Sequence, residues 1–166
     1  MPTREMVDHF VRRHDEETDI PTDLGGIMCN NAKSTFDGEL GWLLCDGMRT
    51  GSVDGSRGFY GYEDDGARRV VNFLDRKCRI NTYGDSFTHC DQVSDGETWQ
   101  EYLAAHLQEP IKNFGIGGYS VYQAYRRMRI VEAHTPADHI ILNIWDDDHY
   151  RNLDSWRSIR MSRQGR

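Results

Sequence analysis

Hydrophobic periodicity divides the chain into three stretches of different character. From Thr3 to Glu17, Met6, Val7, Phe10 and Val11 recur at spacings of three and four with charged residues on the opposite side. This pattern predicts an amphipathic helix that docks on a neighbour. Between Asp19 and Asp65 the period disappears. Short apolar pieces such as Leu40 to Leu44 are separated by glycines, among them Gly38, Gly41, Gly47, Gly51, Gly55, Gly58 and Gly61. Turns and small hairpins without a regular repeat are predicted there, followed by one more short element over Ala67 to Phe73.

From Arg79 onward a regular order begins. Ile80 and Thr82 alternate with Asn81 and Tyr83, the period of a short strand. Gly84-Asp85 then predicts a tight change of direction, because glycine tolerates positive φ and aspartate bonds its own nearby backbone. Ser86 is thereby placed at the carboxyl end of a strand. Ser94-x-x-Glu97 has capping-box spacing and opens a helix with Trp99, Tyr102, Leu103, His106 and Leu107 on one face, closed by Pro110. Ile111 to Phe114 reads as a strand and Gly115 to Gly118 as a loop. Ser120-x-x-Gln123 opens a second helix, striped by Val121, Tyr125, Met128 and Val131, and Pro136 ends the connection. His139 to Trp145 is nearly continuous apolar sequence, as expected of a parallel strand covered on both faces.

Strand, helix, strand, helix, strand predicts a parallel sheet with right-handed crossovers. By analogy with the flavodoxin-like order, the Ser86 strand lies between the other two. The loops at Ser86, Gly118 and Asp147 then emerge at one sheet edge, where open α/β sheets bind ligands.

A length of 166 residues suits a single domain, or one domain with an appendage. Hydrophobic residues make up 37%, and no apolar run approaches the roughly 20 residues of a membrane span. The start carries no apolar signal region, so a cytoplasmic location is expected unless an export segment precedes it. With 20 basic and 27 acidic residues the formal charge is −7, which argues against nucleic acid or an anionic membrane as partner. Arg157, Arg160, Arg163 and Arg166 fall every third residue, a pattern expected of a solvated helix face or frayed terminus more than of a phosphate-binding strip. Cys29, Cys45, Cys78 and Cys90 lack Cys-x-x-Cys spacing. Reduced thiols are expected, with a Cys29 to Cys45 bridge only in a secreted protein.

Three blocks carry a resemblance: Gly84-Asp85-Ser86-Phe87-Thr88, then Val93 to Trp99, then Asn113-x-Gly115-x-x-Gly118. In this order they resemble the SGNH (GDSL-type) hydrolases, a family of esterases, lipases and carbohydrate deacetylases, over about Ser56 to Asn152. The resemblance implies a three-layer α/β/α flavodoxin-like parallel sheet. A helix and glycine-rich β/turn extension would occupy residues 1–75, and a partial hydrolase domain residues 76–166. It also implies Ser86 as nucleophile of an acyl-enzyme, with the backbone N–H groups of Ser86 and Gly118 as oxyanion donors. The substrate would be a small-molecule or carbohydrate ester, and no cofactor is implied. Trp42, Phe59, Tyr60 and Tyr62 in the prelude offer either a sugar-stacking surface or buried anchors.

The chain departs from that pattern twice. Where the family offers an asparagine donor, the alignment places Asp147, whose carboxylate cannot donate. Either burial holds it protonated, or the donor comes from elsewhere, such as Asn152, or the block serves another purpose. Asp146 and His149 match the family's Asp-x-x-His dyad in spacing but directly follow the third strand, earlier than the family's late histidine. Too few residues follow Arg79 for the remaining strands and terminal histidine that the resemblance implies, so the amino-terminal part of a longer enzyme is expected. His89 borders Ser86 on an element poorly suited to position a base. The Asp146 to Asp148 run with Asp85 offers carboxylates to a divalent cation, but three adjacent side chains cannot all point inward, and no metal centre is expected. The rival reading is a module that binds without turnover. Oligomeric state is not legible.

Overall fold

The computed structural model describes residues 34–50 and 57–153. The helix expected over residues 3–17, Cys29 and the arginine-rich tail lie outside the described residues. Two antiparallel hairpins come first: β1 (Ser34–Asp37) with β2 (Gly41–Leu44), and β3 (Gly47–Thr50) with β4 (Arg57–Tyr60). A parallel sheet follows, made of β5 (Ile80–Tyr83), β6 (Ile111–Asn113) and β7 (His139–Leu142) in the order β6-β5-β7. The helices are α1 (Ser86–His89), α2 (Trp99–Leu107), α3 (Val121–His134) and α4 (Asp146–Leu153). The molecule is thus mixed α/β, and β5, the strand that precedes Ser86, is central, as the analogy with the flavodoxin-like order predicts.

All four residues of β5 are buried. It pairs Ile80 with Ile111 and Thr82 with Asn113 on one side, and Ile80 with His139 and Tyr83 with Leu142 on the other. The apolar core is split into small groups. Ala67, Tyr83 and Phe114 form one, Ile80, Ala104 and Ile111 a second, and Leu40, Ile116 and Tyr119 a third. The third group docks the first hairpin. Gln123 Nε2 donates to the Leu40 carbonyl at 2.7 Å and the Tyr119 hydroxyl to the Trp42 carbonyl at 2.5 Å.

Between these groups the interior is polar, and this overturns the expected face of α2. Tyr102 is 73% exposed and Leu107 is exposed as well, while Gln100, Glu101 and Ala104 are buried. The reason is backbone demand. Gln100 Nε2 donates to Thr82 Oγ1 at 3.1 Å and to the Thr88 carbonyl at 2.8 Å. The Glu101 carboxylate accepts from the backbone N–H of Val71 at 2.9 Å and of Asn72 at 3.1 Å. A buried polar group left unpaired is costly, so loop donors and acceptors select the helix face as strongly as apolar area does. In α3 the buried positions are likewise Ala124 and Arg127, with Met128 and Val131 packed at the edge of the core and Tyr125 exposed.

Three further expectations change. The Ser94 to Glu97 capping box forms, but it opens a 3-10 turn, and Thr98 caps α2. Residues 67–73 form no helix or strand of their own. Arg68 instead makes isolated bridges to Tyr62 and Asn113, fixed by its own N–H donating to the Asn113 carbonyl at 2.7 Å. Finally, β7 is not covered on both faces. His139, Ile140 and Ile141 are exposed, and since successive side chains point to opposite faces, neither face of this edge strand is fully covered among the described residues.

Glycine positions the crossing of the Gly115 loop over α1. A Cβ on Gly115 would stand 2.4 Å from the His89 backbone nitrogen and 2.7 Å from the Thr88 carbonyl carbon. Backbone on both sides leaves nothing flexible to give way. Gly115→Ala is therefore expected to lower the urea midpoint by an amount equivalent to about 1–3 kcal/mol, the usual range for overpacking; an unchanged midpoint would contradict this close approach.

Candidate functional site

Ser86 is the first residue of α1 and is partly exposed. Asp85 caps that helix: its side chain accepts from the Phe87 N–H at 3.0 Å. Gly84 allows the bend, since a Cβ there would lie 2.2 Å from Thr88 Oγ1 and 3.0 Å from the Asn143 carbonyl oxygen. The loop after β6 is tied to the same turn. Asn113 Nδ2 donates to the Thr88 carbonyl at 2.9 Å, Asn113 Oδ1 accepts from the Gly115 N–H at 2.9 Å, and the Ile116 N–H reaches the Gly84 carbonyl at 3.1 Å. Gly118 is exposed with φ +84°, a left-handed conformation that favours glycine. A Cβ there would sit at an ordinary 3.5 Å from Trp42, so backbone conformation, more than crowding by this chain, selects the glycine.

The third loop joins through Arg151, a residue that no sequence pattern marks. From α4 its Nη1 donates to Asp85 Oδ2 at 3.2 Å, to the Tyr119 carbonyl at 3.0 Å and to Asp148 Oδ1 at 2.5 Å. One nitrogen thus contacts the residue before Ser86, the residue after Gly118, and the residue between Asp147 and His149. Asp85 and Asp148 are 1% and 2% exposed. Burial, and then the facing Asp85 carboxylate, push the Asp148 carboxyl above its usual range. A guanidinium shared between two buried carboxylates could have been sought at i, i+3 from Asp148, but nothing in the sequence identifies Asp85 as its distant partner.

The acidic run splits, as three successive side chains must. Asp146 and Asp147 are exposed while Asp148 turns inward. Asp147 therefore does not occupy the buried position that the first of the three alternatives requires. Asn152, the alternative donor, accepts from the Tyr122 N–H at 2.9 Å through Oδ1 and so engages the first turn of α3. His149 is exposed, and among the described residues neither it nor the Ser86 hydroxyl has a hydrogen-bond partner. Beside Ser86, Phe87 stacks on Trp145 with ring centroids 4.3 Å apart, both rings about half exposed.

His89 is held away from this role. It is 1% exposed, and its Nδ1 meets Asp91 Oδ1 while Nε2 lies 2.5 Å from the Tyr62 hydroxyl. An ionised carboxylate only accepts, so the neutral ring carries its proton on Nδ1 and Nε2 accepts from Tyr62. Tyr60 and Tyr62 both pack against this ring, while Phe59 is exposed and Trp42 meets Tyr119 edge-on. The four aromatics of the prelude therefore do not form one surface. Arg68, 1% exposed, donates to the carbonyls of His89, Cys90 at 3.0 Å and Val93 at 2.5 Å, and to Asp95 Oδ1 at 2.7 Å. It fixes the segment that follows α1. Cys45, Cys78 and Cys90 are free thiols.

A cleft of about 370 Å³ lies elsewhere, between the first hairpin, residues 62–66 and α3; Leu40, Tyr62, Asp65 and Arg127 are among its lining, and neither Ser86 nor Gly118 is. No helix among the described residues is long and apolar enough to cross a membrane. No protein-family model matches the chain, and no curated protein is similar to it.

Burial holds the His89 pKa below its ordinary 6.5 despite the Asp91 bond. The unfolded chain therefore takes up a proton near pH 6.5 that the folded chain refuses until lower pH, and stability present above 6.5 is lost as pH falls. Wild type is expected to lose melting temperature below that point more steeply than His89→Gln. Parallel decline of the two proteins would contradict the buried neutral imidazole.

Proposed function

We propose that this chain carries the serine site of an SGNH-type ester hydrolase on a flavodoxin-like sheet. The observation that supports the reading is the meeting of three loops, those of Ser86, Gly118 and Asp148, on the single nitrogen of Arg151. A serine hydroxyl needs a neighbouring base and donors for the developing oxyanion. In this reading Ser86 Oγ attacks the ester carbonyl, forming a carbon–oxygen bond while the carbonyl electron pair moves to oxygen. His149, which the family's Asp-x-x-His spacing would pair with Asp146 although the two side chains make no hydrogen bond here, accepts the hydroxyl proton and returns it to the departing alcohol. Water then cleaves the acyl-enzyme, releasing the carboxylic acid. The backbone N–H groups of Ser86 and Gly118 face the oxyanion, and Asp147 takes no part as a donor.

A second reading, a module that binds an ester without turning it over, is favoured by the lack of any bond between Ser86 and an imidazole among the described residues. A fluorophosphonate probe separates the two. Attack forms a serine–phosphorus bond and expels fluoride, so wild type is expected to label and Ser86→Ala is not. Labelling that survives in Ser86→Ala, or that is absent from folded wild type, contradicts the hydrolase reading. His149→Ala is expected to slow labelling by about 10²-fold or more if it is the base.

A further inference from the structure

We propose that Arg151 supplies the oxyanion donor that this chain lacks at the position of Asp147, acting through guanidinium N–H groups that its contacts leave uncommitted. The inference rests on Ser86 being the nucleophile. Three observations carry it. First, Nη1 alone makes all three of the contacts to Asp85, the Tyr119 carbonyl and Asp148, while Nε and Nη2 donate to none of the described residues. A guanidinium has five N–H donors, and protein acceptors here engage one nitrogen. Second, the side chain is 19% exposed where Asp85 and Asp148 are nearly sealed, so Arg151 is the member of the cluster that reaches solvent. Third, its anchors Asp85 and Tyr119 are the immediate sequence neighbours of Ser86 and Gly118, which ties the cation to both loops.

The chemistry matches the gap. As the Ser86 Oγ bond to carbon forms, the carbonyl π pair becomes a full negative charge on oxygen. Asp147 is exposed on α4, its carboxylate form offers no donor, and Asn152 has turned to α3. A guanidinium donates to that oxygen without giving up its proton. Its charge is shared with the Asp85 and Asp148 carboxylates, and burial, then the facing Asp85, raise the Asp148 pKa above its ordinary value. The anchors also hold the guanidinium before substrate arrives, so little reorganisation accompanies the reaction.

The test uses the full chain, p-nitrophenyl acetate as substrate, and four proteins: wild type, Ser86→Ala, Arg151→Met and Arg151→Lys. Ser86→Ala reads the underlying assignment by itself; wild-type turnover that survives in it, or no turnover in wild type, overturns both that assignment and the role of Arg151. If turnover depends on Ser86, Arg151→Met is expected to lower kcat by about 10²–10³-fold with KM within about twofold. Added guanidinium ion in the millimolar range is expected to restore part of the loss, and Arg151→Lys to fall between. A purely structural bridge would lower the melting temperature and raise KM without rescue, and that result overturns the proposal while leaving Ser86 in place. Undiminished kcat in either folded Arg151 variant overturns it as well. If Arg151→Met does not fold, the lysine variant with and without added guanidinium separates the same outcomes.

Discussion

One guanidinium nitrogen joins three segments that are far apart in sequence. Arg151 Nη1 contacts Asp85 from the β5–α1 turn, the Tyr119 carbonyl from the loop before α3, and Asp148 from its own helix. Two carboxylates buried this deeply need a cation, and a cation without both would be left partly unpaired. The contact therefore constrains all three loops at once. Parallel pairing of β5 with β6 and β7 brings the carboxyl ends of the strands to one edge, and the bridge at Arg151 sets how closely the loops beyond those ends approach.

The same logic runs through the rest of the interior. Arg68 gathers the carbonyls of His89, Cys90 and Val93, Gln100 and Asn113 both reach the Thr88 carbonyl, and Glu101 closes the N–H groups of Val71 and Asn72. The apolar groups are small, so irregular backbone around α1 is held by buried side chains that satisfy it. Such networks are costly when broken and specific when complete. They fix the turn carrying Ser86 from below, while Ser86 is partly exposed and the Phe87–Trp145 stack is about half exposed.

How much of this is legible in the sequence depends on range. Local devices are readable: the Gly84-Asp85 turn, the Ser120 to Gln123 capping box and the strand pattern of Ile80 to Tyr83; the central place of that strand follows only from analogy with a known strand order. The glycine of Asn113-x-Gly115 is readable as a motif, and the structure supplies its reason, a backbone crossing that admits no Cβ. Periodicity gives the wrong face for α2. Tyr102 and Leu107 look like core residues by spacing, yet Gln100 and Glu101 turn inward because distant backbone groups need them. The coverage of β7 differs from expectation for a related reason: apolar composition reports what a strand would tolerate on its faces, not what packs there. Arg151 is invisible because its partners lie 66 and 32 residues away, and no local pattern encodes such a pairing.

The most direct test of this coupling is amide hydrogen exchange on wild type and Arg151→Lys, followed residue by residue. If one guanidinium nitrogen couples the three loops, exchange should accelerate together at Phe87 to Cys90, at Tyr119 to Gln123 and at Asp148 to Asn152, while Thr82 and Asn113 in the sheet stay protected. Acceleration confined to α4, with the loops at Ser86 and Gly118 unchanged, would contradict it.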